Sequence, residues 1–294
     1  MYGRLVVFSD IDHTMMSNKG DLGEVPGIID LLESAGIPVV LVTAKTISEV
    51  ISLRRSLGIK KWFIAVIESG AAIFADPGIL PYVSGRTRLV GEELEYVELT
   101  AKIDLEKIDD KVKSILKERN IECDPPLVNV WDLSGEELSR ITGLPVEQAK
   151  LIPTRDYMLV YYTPDMKCKE KIKNILESRG FYVGLGRNFI HIGLHRGKGW
   201  AVRWIMERVP GIMNKTSIGL GDSAPDVDFL EVVDVPIIIP HPTGPRIRLA
   251  RPDYSIAPYP APSGWVSSLQ DYIVRNCSGL VIVKDLVGSW YLIR

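Results

Sequence analysis

Cysteine is nearly absent: Cys123, Cys168 and Cys277 are the only three in 294 residues. They form neither a CxxC metal pair nor a disulfide framework, so the expectation is three unpaired thiols in a reducing, cytoplasmic compartment. Glutamine is scarcer still, with only Gln148 and Gln270. Beside many Lys and Glu, that scarcity leans toward a thermophilic source. Long apolar runs are missing, which argues against a membrane-spanning helix and a membrane partner. The N-terminal "LVVF" is too short for a signal-peptide core and is followed by acids. A broad field of one sign is missing too. The formal net charge of −2 speaks against nucleic acid as the main partner and confines any phosphate chemistry to a local anion site. What remains is an ordinary globular composition, 46% hydrophobic and 24% charged, long enough for two domains.

The first third alternates short β-branched runs with amphipathic segments: "LVVFSD", "VPGIIDLLESAG", "IPVVLVTA", "TISEVISLRRSLG", "WFIAVIES". Continuous apolar strands separated by helices predict an α/β parallel sheet covered on both faces. The pattern returns late, in "GKGWAVRWIMERVPG", "TSIGLGD", "APDVDFLEVV" and "VPIIIP". Between them the texture changes to half-polar strands and charged helices, including "LEKIDDKVKSILKERN" and "EKIKNILESRG". Ser134 and Glu137 stand at capping-box spacing and start the short helix "GEELSRITG". The expected organisation is a split core, 1–83 plus 189–294, with an insertion at 84–188 forming an open sheet, one face on helices and one face free. The proline-rich "APYPAPSG" predicts a loop before a last helix and strand.

The first apolar strand ends in Asp10 and Asp12, and side chains two apart share a face of an extended segment. In an open parallel α/β sheet, ligands bind at the carboxyl ends of the strands. The other strand ends are also polar: Thr43 after "VVLV", Glu68 and Ser69 after "IAVI", Asp222 after "SIGLG" with Asp226 four further on. Two competing motifs are weaker. "GLGDSA" matches a dinucleotide fingerprint but lies in a late strand with no acid about 20 residues on, and "GLHRGK" lacks the full phosphate-loop pattern because Gly199 follows Lys198.

Asp10, Asp12 and Thr14 as D-x-D-x-T, Thr43 at the next strand end, Lys198 at a helix start, and Gly221, Asp222, Ser223 and Asp226 as G-D-S-x-x-D resemble the four motifs of the haloacid dehalogenase superfamily, in order. The resemblance implies a three-layer Rossmann-like core with an inserted α+β cap of the large type. It also implies a phosphatase in which Asp10 is the nucleophile and Asp12 the general acid and base. Thr43, with Ala44 beside it, and Lys198 would hold the phosphoryl oxygens. Asp10, Asp222, Asp226 and the backbone carbonyl of Asp12 would surround Mg²⁺. The chemistry agrees: an aspartate splits one slow displacement into two. Four carboxylates and a phosphate of about −2 facing one lysine require a hard divalent cation.

Within the superfamily, "VVLVTAKTISEV", "ESGAAIF", "ITGLPVEQAKLIPTRDY" and "GKGWAV" are similar to the mannosyl-3-phosphoglycerate phosphatases. That likeness makes Lys45, Glu68, Arg155 and Arg187 candidates for the sugar or the glycerate carboxylate, a planar anion that arginine binds bidentately. Three departures stand out: His13 replaces the family's usual glycine, Pro225 its usual asparagine, and "MLVYY" follows "TRDY". His191, His195 and His241 are expected to be structural or superficial. Three other readings stay open: a phosphatase for another sugar phosphate, a phosphomannomutase-like transfer enzyme, and a non-catalytic phosphosugar-binding protein.

Overall fold

The computed structural model describes residues 4–83, 87–90, 94–100, 104–276, 281–284 and 290–293. The chain opens with β1 (Leu5–Ser9), α1 (Val25–Ser34), β2 (Val39–Val42), α2 (Ile47–Arg54) and β3 (Ile64–Ile67), followed by β4 (Ala72–Ala75), β5 (Thr87–Val90) and β6 (Leu94–Glu98). A second unit contains α3 (Leu105–Glu118), β7 (Val128–Asn129), α4 (Gly135–Thr142), α5 (Val146–Ala149), β8 (Met158–Tyr162), α6 (Met166–Glu177), β9 (Tyr182–Leu185) and β10 (Phe189–Gly193). The chain then returns through α7 (Lys198–Arg208), β11 (Thr216–Gly221), α8 (Val227–Leu230), β12 (Val235–Ile238), β13 (Ser255–Ile256) and α9 (Ser263–Asn276) to a hairpin of β14 (Val281–Lys284) and β15 (Trp290–Ile293). No helix among the described residues is long and apolar enough to cross a membrane.

Nine strands form one sheet in the order β13-β12-β11-β1-β2-β3-β4-β6-β5. The six from β13 to β3 run parallel, and β4, β6 and β5 add an antiparallel edge. Period-two alternation explains why the central strands are apolar throughout. Leu5, Val7, Val39, Leu41, Ala65 and Ile67 enter the core under α1, α2 and α9, with Ile28, Leu32, Val50, Trp265 and Leu269. Val6, Phe8, Val40, Val42, Ile64 and Val66 enter the core under α7 and α8, with Val202, Ile205, Phe229 and Leu230. The expected α/β sheet covered on both faces is thus observed.

The second unit centres on a four-stranded antiparallel sheet, β7-β8-β10-β9. One face packs on α3 and α6 through Val112, Leu116, Ile172 and Leu176 against Leu159, Tyr161, Val183, Ile190 and Ile192. Ser134 and Glu137 form the expected capping box at the start of α4, which Gly143 ends in a left-handed conformation.

Residues 87–90 and 94–98 pair in the large sheet, and Phe189–Gly193 pairs in the small sheet. The patterning at those edges reads as strand without saying which sheet it pairs with. The face of the small sheet expected to be free is partly covered: Met158 and Val160 pack with Val130, Leu138, Ala149 and Ile152 from α4, α5 and their neighbours. Cys123 and Cys168 are not free thiols but a disulfide across 45 residues, because the turn after α3 is folded against the start of α6; Cys277 lies outside the described residues. The expected last strand is a two-stranded hairpin.

Candidate active site

The carboxyl ends of β1, β2, β3 and β11 meet at one edge, and the residues singled out there converge. Asp10 follows β1, with its N–H donating to the Leu220 carbonyl at 3.0 Å. The fully buried Trp265 donates its indole N–H to Ser9 Oγ at 2.9 Å, and Ser9 Oγ donates to the Asp10 carbonyl at 2.7 Å, so α9 fixes the strand end. The chain then coils tightly: the N–H groups of Thr14, Met15 and Met16 all donate to the Ile11 carbonyl. His13 has φ of 61°, the left-handed region that favours glycine, which explains why a glycine there would be the easier residue. Its ring lines the pocket, and burial pushes its pKa down more than Asp12 pushes it up.

Lys198 is the first residue of α7, 2% exposed, and its Nζ bridges Asp10 Oδ1 at 2.8 Å and Asp226 Oδ1 at 2.6 Å. Burial lowers the lysine's affinity for its proton, but the two carboxylates outweigh it and hold the pKa above the usual value. The approach needs Gly70, with φ of +105°, since a Cβ there would stand 2.1 Å from the Gly197 carbonyl oxygen. Asp226 is oriented by its own turn: Oδ2 accepts from the N–H groups of Asp222 and Ser223 at 3.2 and 3.0 Å and from Ser223 Oγ at 2.8 Å. Pro225 sits in the first turn of a short 3-10 helix, Ala224–Asp226, where its fixed φ costs nothing. Thr14 Oγ1 donates to Asp222 Oδ1 at 3.5 Å.

Asp10, Asp222 and Asp226 are all buried, and one oxygen from each lies within 4.8 Å of the others. Burial first, then the neighbouring carboxylates, raise the pKa of both Asp10 and Asp222. An all-oxygen set with excess negative charge relieved by one lysine fits a hard divalent cation such as Mg²⁺. The Asp12 carboxylate stands apart from this triad, paired with Lys45 Nζ at 3.0 Å. Lys45 also reaches Glu49 Oε1 at 3.6 Å. Burial lowers its pKa, but Asp12 and Glu49 prevail and hold it up to about 12.

The remaining predicted residues divide. Thr43 is buried beyond β2 and accepts from the Lys45 N–H at 3.2 Å; Ala44 and Lys45 line the pocket. Arg155 lines the opposite wall, donating from Nη1 to the Ala44 carbonyl at 3.0 Å and standing 3.7 Å from Glu49 Oε2. Its buried Nε has no hydrogen-bond partner among the described residues. Arg187 reaches the pocket from the β9–β10 turn. Glu68 does not line it: its two oxygens accept the backbone N–H groups of Asp156 and Tyr157, which fastens the second unit to the end of β3.

The pocket holds about 330 Å³ between the two sheets. Sequence reasoning missed much of its lining, His191, Asn188 and Arg246 among them. His191, expected to be structural or superficial, projects from β10 into the wall, and burial, Arg155 and Lys198 press its pKa down to about 3. Asn188 donates to the Ile141 carbonyl at 3.2 Å, and Arg246 stands 3.8 Å from Asp222 Oδ2. Only the polar alternation of β10 hinted at His191; nothing local marks the other two.

Among solved structures, a haloacid dehalogenase-like hydrolase from B. subtilis superposes with a TM-score of 0.58 at 14% identity, covering 93% of this chain and 99% of its own. The sucrose-phosphatase of Synechocystis sp. PCC6803, in complex with sucrose and phosphate, gives 0.55 at 14% identity, over 92% of this chain and 97% of its own. At such identities these carry the fold alone: a haloacid-dehalogenase-like α/β fold. No family model matches the chain. A glucosyl-3-phosphoglycerate/mannosyl-3-phosphoglycerate phosphatase of Persephonella marina is 31% identical over 93% of this chain and 100% of its own. A mannosyl-3-phosphoglycerate phosphatase of Aeropyrum pernix is 30% identical over 92% and 95%. With the strand-end site in place, these relatives make the protein a phosphatase enzyme. The chain belongs to the mannosyl-3-phosphoglycerate phosphatase family.

Proposed function

We propose that the protein is a Mg²⁺-dependent phosphomonoesterase that removes phosphate from mannosyl-3-phosphoglycerate, with the glucosyl compound as a second substrate because a relative is named for both. The observation that carries the chemistry is the buried Lys198 bridging Asp10 and Asp226 at the floor of a pocket walled by Arg155, Arg187 and His191.

Lys198 holds Asp10 Oδ1, which leaves the second oxygen to attack phosphorus. The new O–P bond forms as the bond to the leaving alkoxide breaks, and Asp12, whose carboxylate is half exposed in the pocket, gives that oxygen its proton. Water then attacks the aspartyl phosphate, returning its proton to Asp12 and freeing Asp10. Asp10, Asp222 and Asp226 would hold the Mg²⁺, which supplies charge neutralisation to the phosphoryl oxygens. Thr43, Ala44 and Lys198 bind those oxygens, and Lys45 orients Asp12. The second unit acts as a cap over the site: Arg155 and Arg187 meet the glycerate carboxylate or the sugar, while Glu68 secures the joint. A cytoplasmic location is compatible with the Cys123–Cys168 bridge, since intracellular proteins of hyperthermophiles carry disulfides.

The test is phosphate release from mannosyl-3-phosphoglycerate, glucosyl-3-phosphoglycerate, mannose 1-phosphate and mannose 6-phosphate at elevated temperature, with Mg²⁺ and with excess EDTA. Metal-dependent preference for the two phosphoglycerates is expected. Substantial turnover with metal verified absent overturns the mechanism, and an isomeric product in place of inorganic phosphate indicates a transfer enzyme.

A further inference from the structure

Lys169 lies in α6 and is fully buried, yet it ends at no carboxylate among the described residues. Its Nζ donates to the Gly186 carbonyl at 2.8 Å and to the Arg187 carbonyl at 2.7 Å. A buried ammonium held only by carbonyl dipoles costs stability that an apolar side chain would not. Burial accordingly pushes its pKa down, with Asp165 offering partial relief.

What the ammonium grips is the turn between β9 and β10. Gly186, Arg187, Asn188 and Phe189 all line the pocket. The turn is closed by the Gly186 N–H on the Phe189 carbonyl at 2.9 Å and joined to β8 by the Thr163 N–H on the Asn188 carbonyl at 2.9 Å. Arg187 is itself exposed, and its charge is felt by His13 and His241, on loops of the large-sheet unit. The charge of Lys169 in turn reaches His191 in the pocket wall. Two carbonyls drawn toward one ammonium fix the orientation of the peptide units that carry the Arg187 side chain.

We infer that Lys169 is a positioning residue for substrate recognition: it holds the β9–β10 turn so that Arg187 faces the carboxylate of a phosphoglycerate-type substrate. The inference rests on the proposed reading of the pocket but concerns a residue outside it.

The test is calorimetric binding, in excess Mg²⁺, of two ligands that differ by a carboxylate, 3-phosphoglycerate and glycerol 3-phosphate, to an Asp10→Asn protein that does not turn them over. The Asp10→Asn parent is expected to bind 3-phosphoglycerate about tenfold more tightly. Adding Lys169→Met should reduce that preference to within twofold while leaving glycerol 3-phosphate affinity within twofold of the parent. Lys169→Arg should restore most of it, and Arg187→Met added to Lys169→Met should change nothing further. Lack of a preference in the parent, a preference that survives Lys169→Met, or an equal loss for both ligands overturns the inference. If Lys169→Met does not fold, Arg187→Met alone must abolish the preference, and its persistence there overturns the inference equally. Should the preference hold while wild-type protein fails to hydrolyse mannosyl-3-phosphoglycerate, the proposed substrate falls and the role of Lys169 stands.

Discussion

The two sheets treat their polar residues in opposite ways. In the nine-stranded sheet, β1, β2 and β3 are apolar on both faces, and their polar residues, Ser9 and Asp10, Thr43, and Glu68 and Ser69, stand where these three strands run out. In the four-stranded sheet, Leu159, Tyr161, Ile190 and Ile192 pack on helices, while Val160, Phe189 and His191 turn to the pocket. Chemistry is thereby tied to the topology of one sheet, whose strand ends cannot move without the core moving. On the proposed reading, recognition belongs to one face and one turn of the other, where substitutions leave the helix-packed side intact.

Breaking the large-sheet side should have the largest effect. Asp10→Asn is expected to lower phosphate release by at least ~10⁴-fold, since loss of a nucleophile removes the covalent route. Its melting temperature should not fall, because the substitution removes a desolvated negative charge; full activity in the variant would dismiss Asp10 as nucleophile. On the second sheet, reducing Cys123–Cys168, or replacing Cys168 with Ser, releases a constraint across 45 residues worth about 4 kcal/mol at most. Hydrogen exchange with and without reductant should show faster opening of α3 and α6 alone, and an equal change in β1 and β11 would contradict the separation of the two units.

A third prediction concerns their junction. His195 is buried, its Nδ1 accepts the Gly197 N–H at 3.2 Å, and burial lowers its pKa to about 4. Between about 6.5 and about 4 the unfolded chain binds a proton there that the folded chain does not, so stability falls as the pH drops through that window. The loss attributable to His195 is ~3 kcal/mol at most. Denaturant titrations at pH 7 and pH 4.5 should show His195→Gln less pH-sensitive than wild type. The smallest effect sharpens the division of labour: Arg155→Met should raise KM about tenfold, the worth of one charge-assisted hydrogen bond, with kcat within about threefold. A kcat loss exceeding the KM change would move Arg155 to the catalytic side.

Much of the candidate site was legible because it is written locally. Asp10, Asp12, Thr43, Lys198, Asp222 and Asp226 each follow a recognisable strand or open a recognisable helix, and strand polarity alone places them at one edge. The capping box at Ser134 and Glu137 was readable for the same reason. Glu68 was visible as a polar strand end, but its engagement with the Asp156 and Tyr157 N–H groups depends on where a distant segment docks.

By itself, then, the sequence determined the α/β alternation, the charge excess that calls for a cation, and the set of strand-end residues, all properties of short segments and their periodicity. Tertiary structure alone decided that residues 87–90 and 94–98 join the large sheet and 189–193 the small one, that Cys123 meets Cys168, that His191 and Arg246 line the pocket, and that Lys169 grips the β9–β10 turn. Those outcomes require segments tens to hundreds of residues apart to meet, and the free energy that brings them together comes from burying whole faces, which no local pattern specifies.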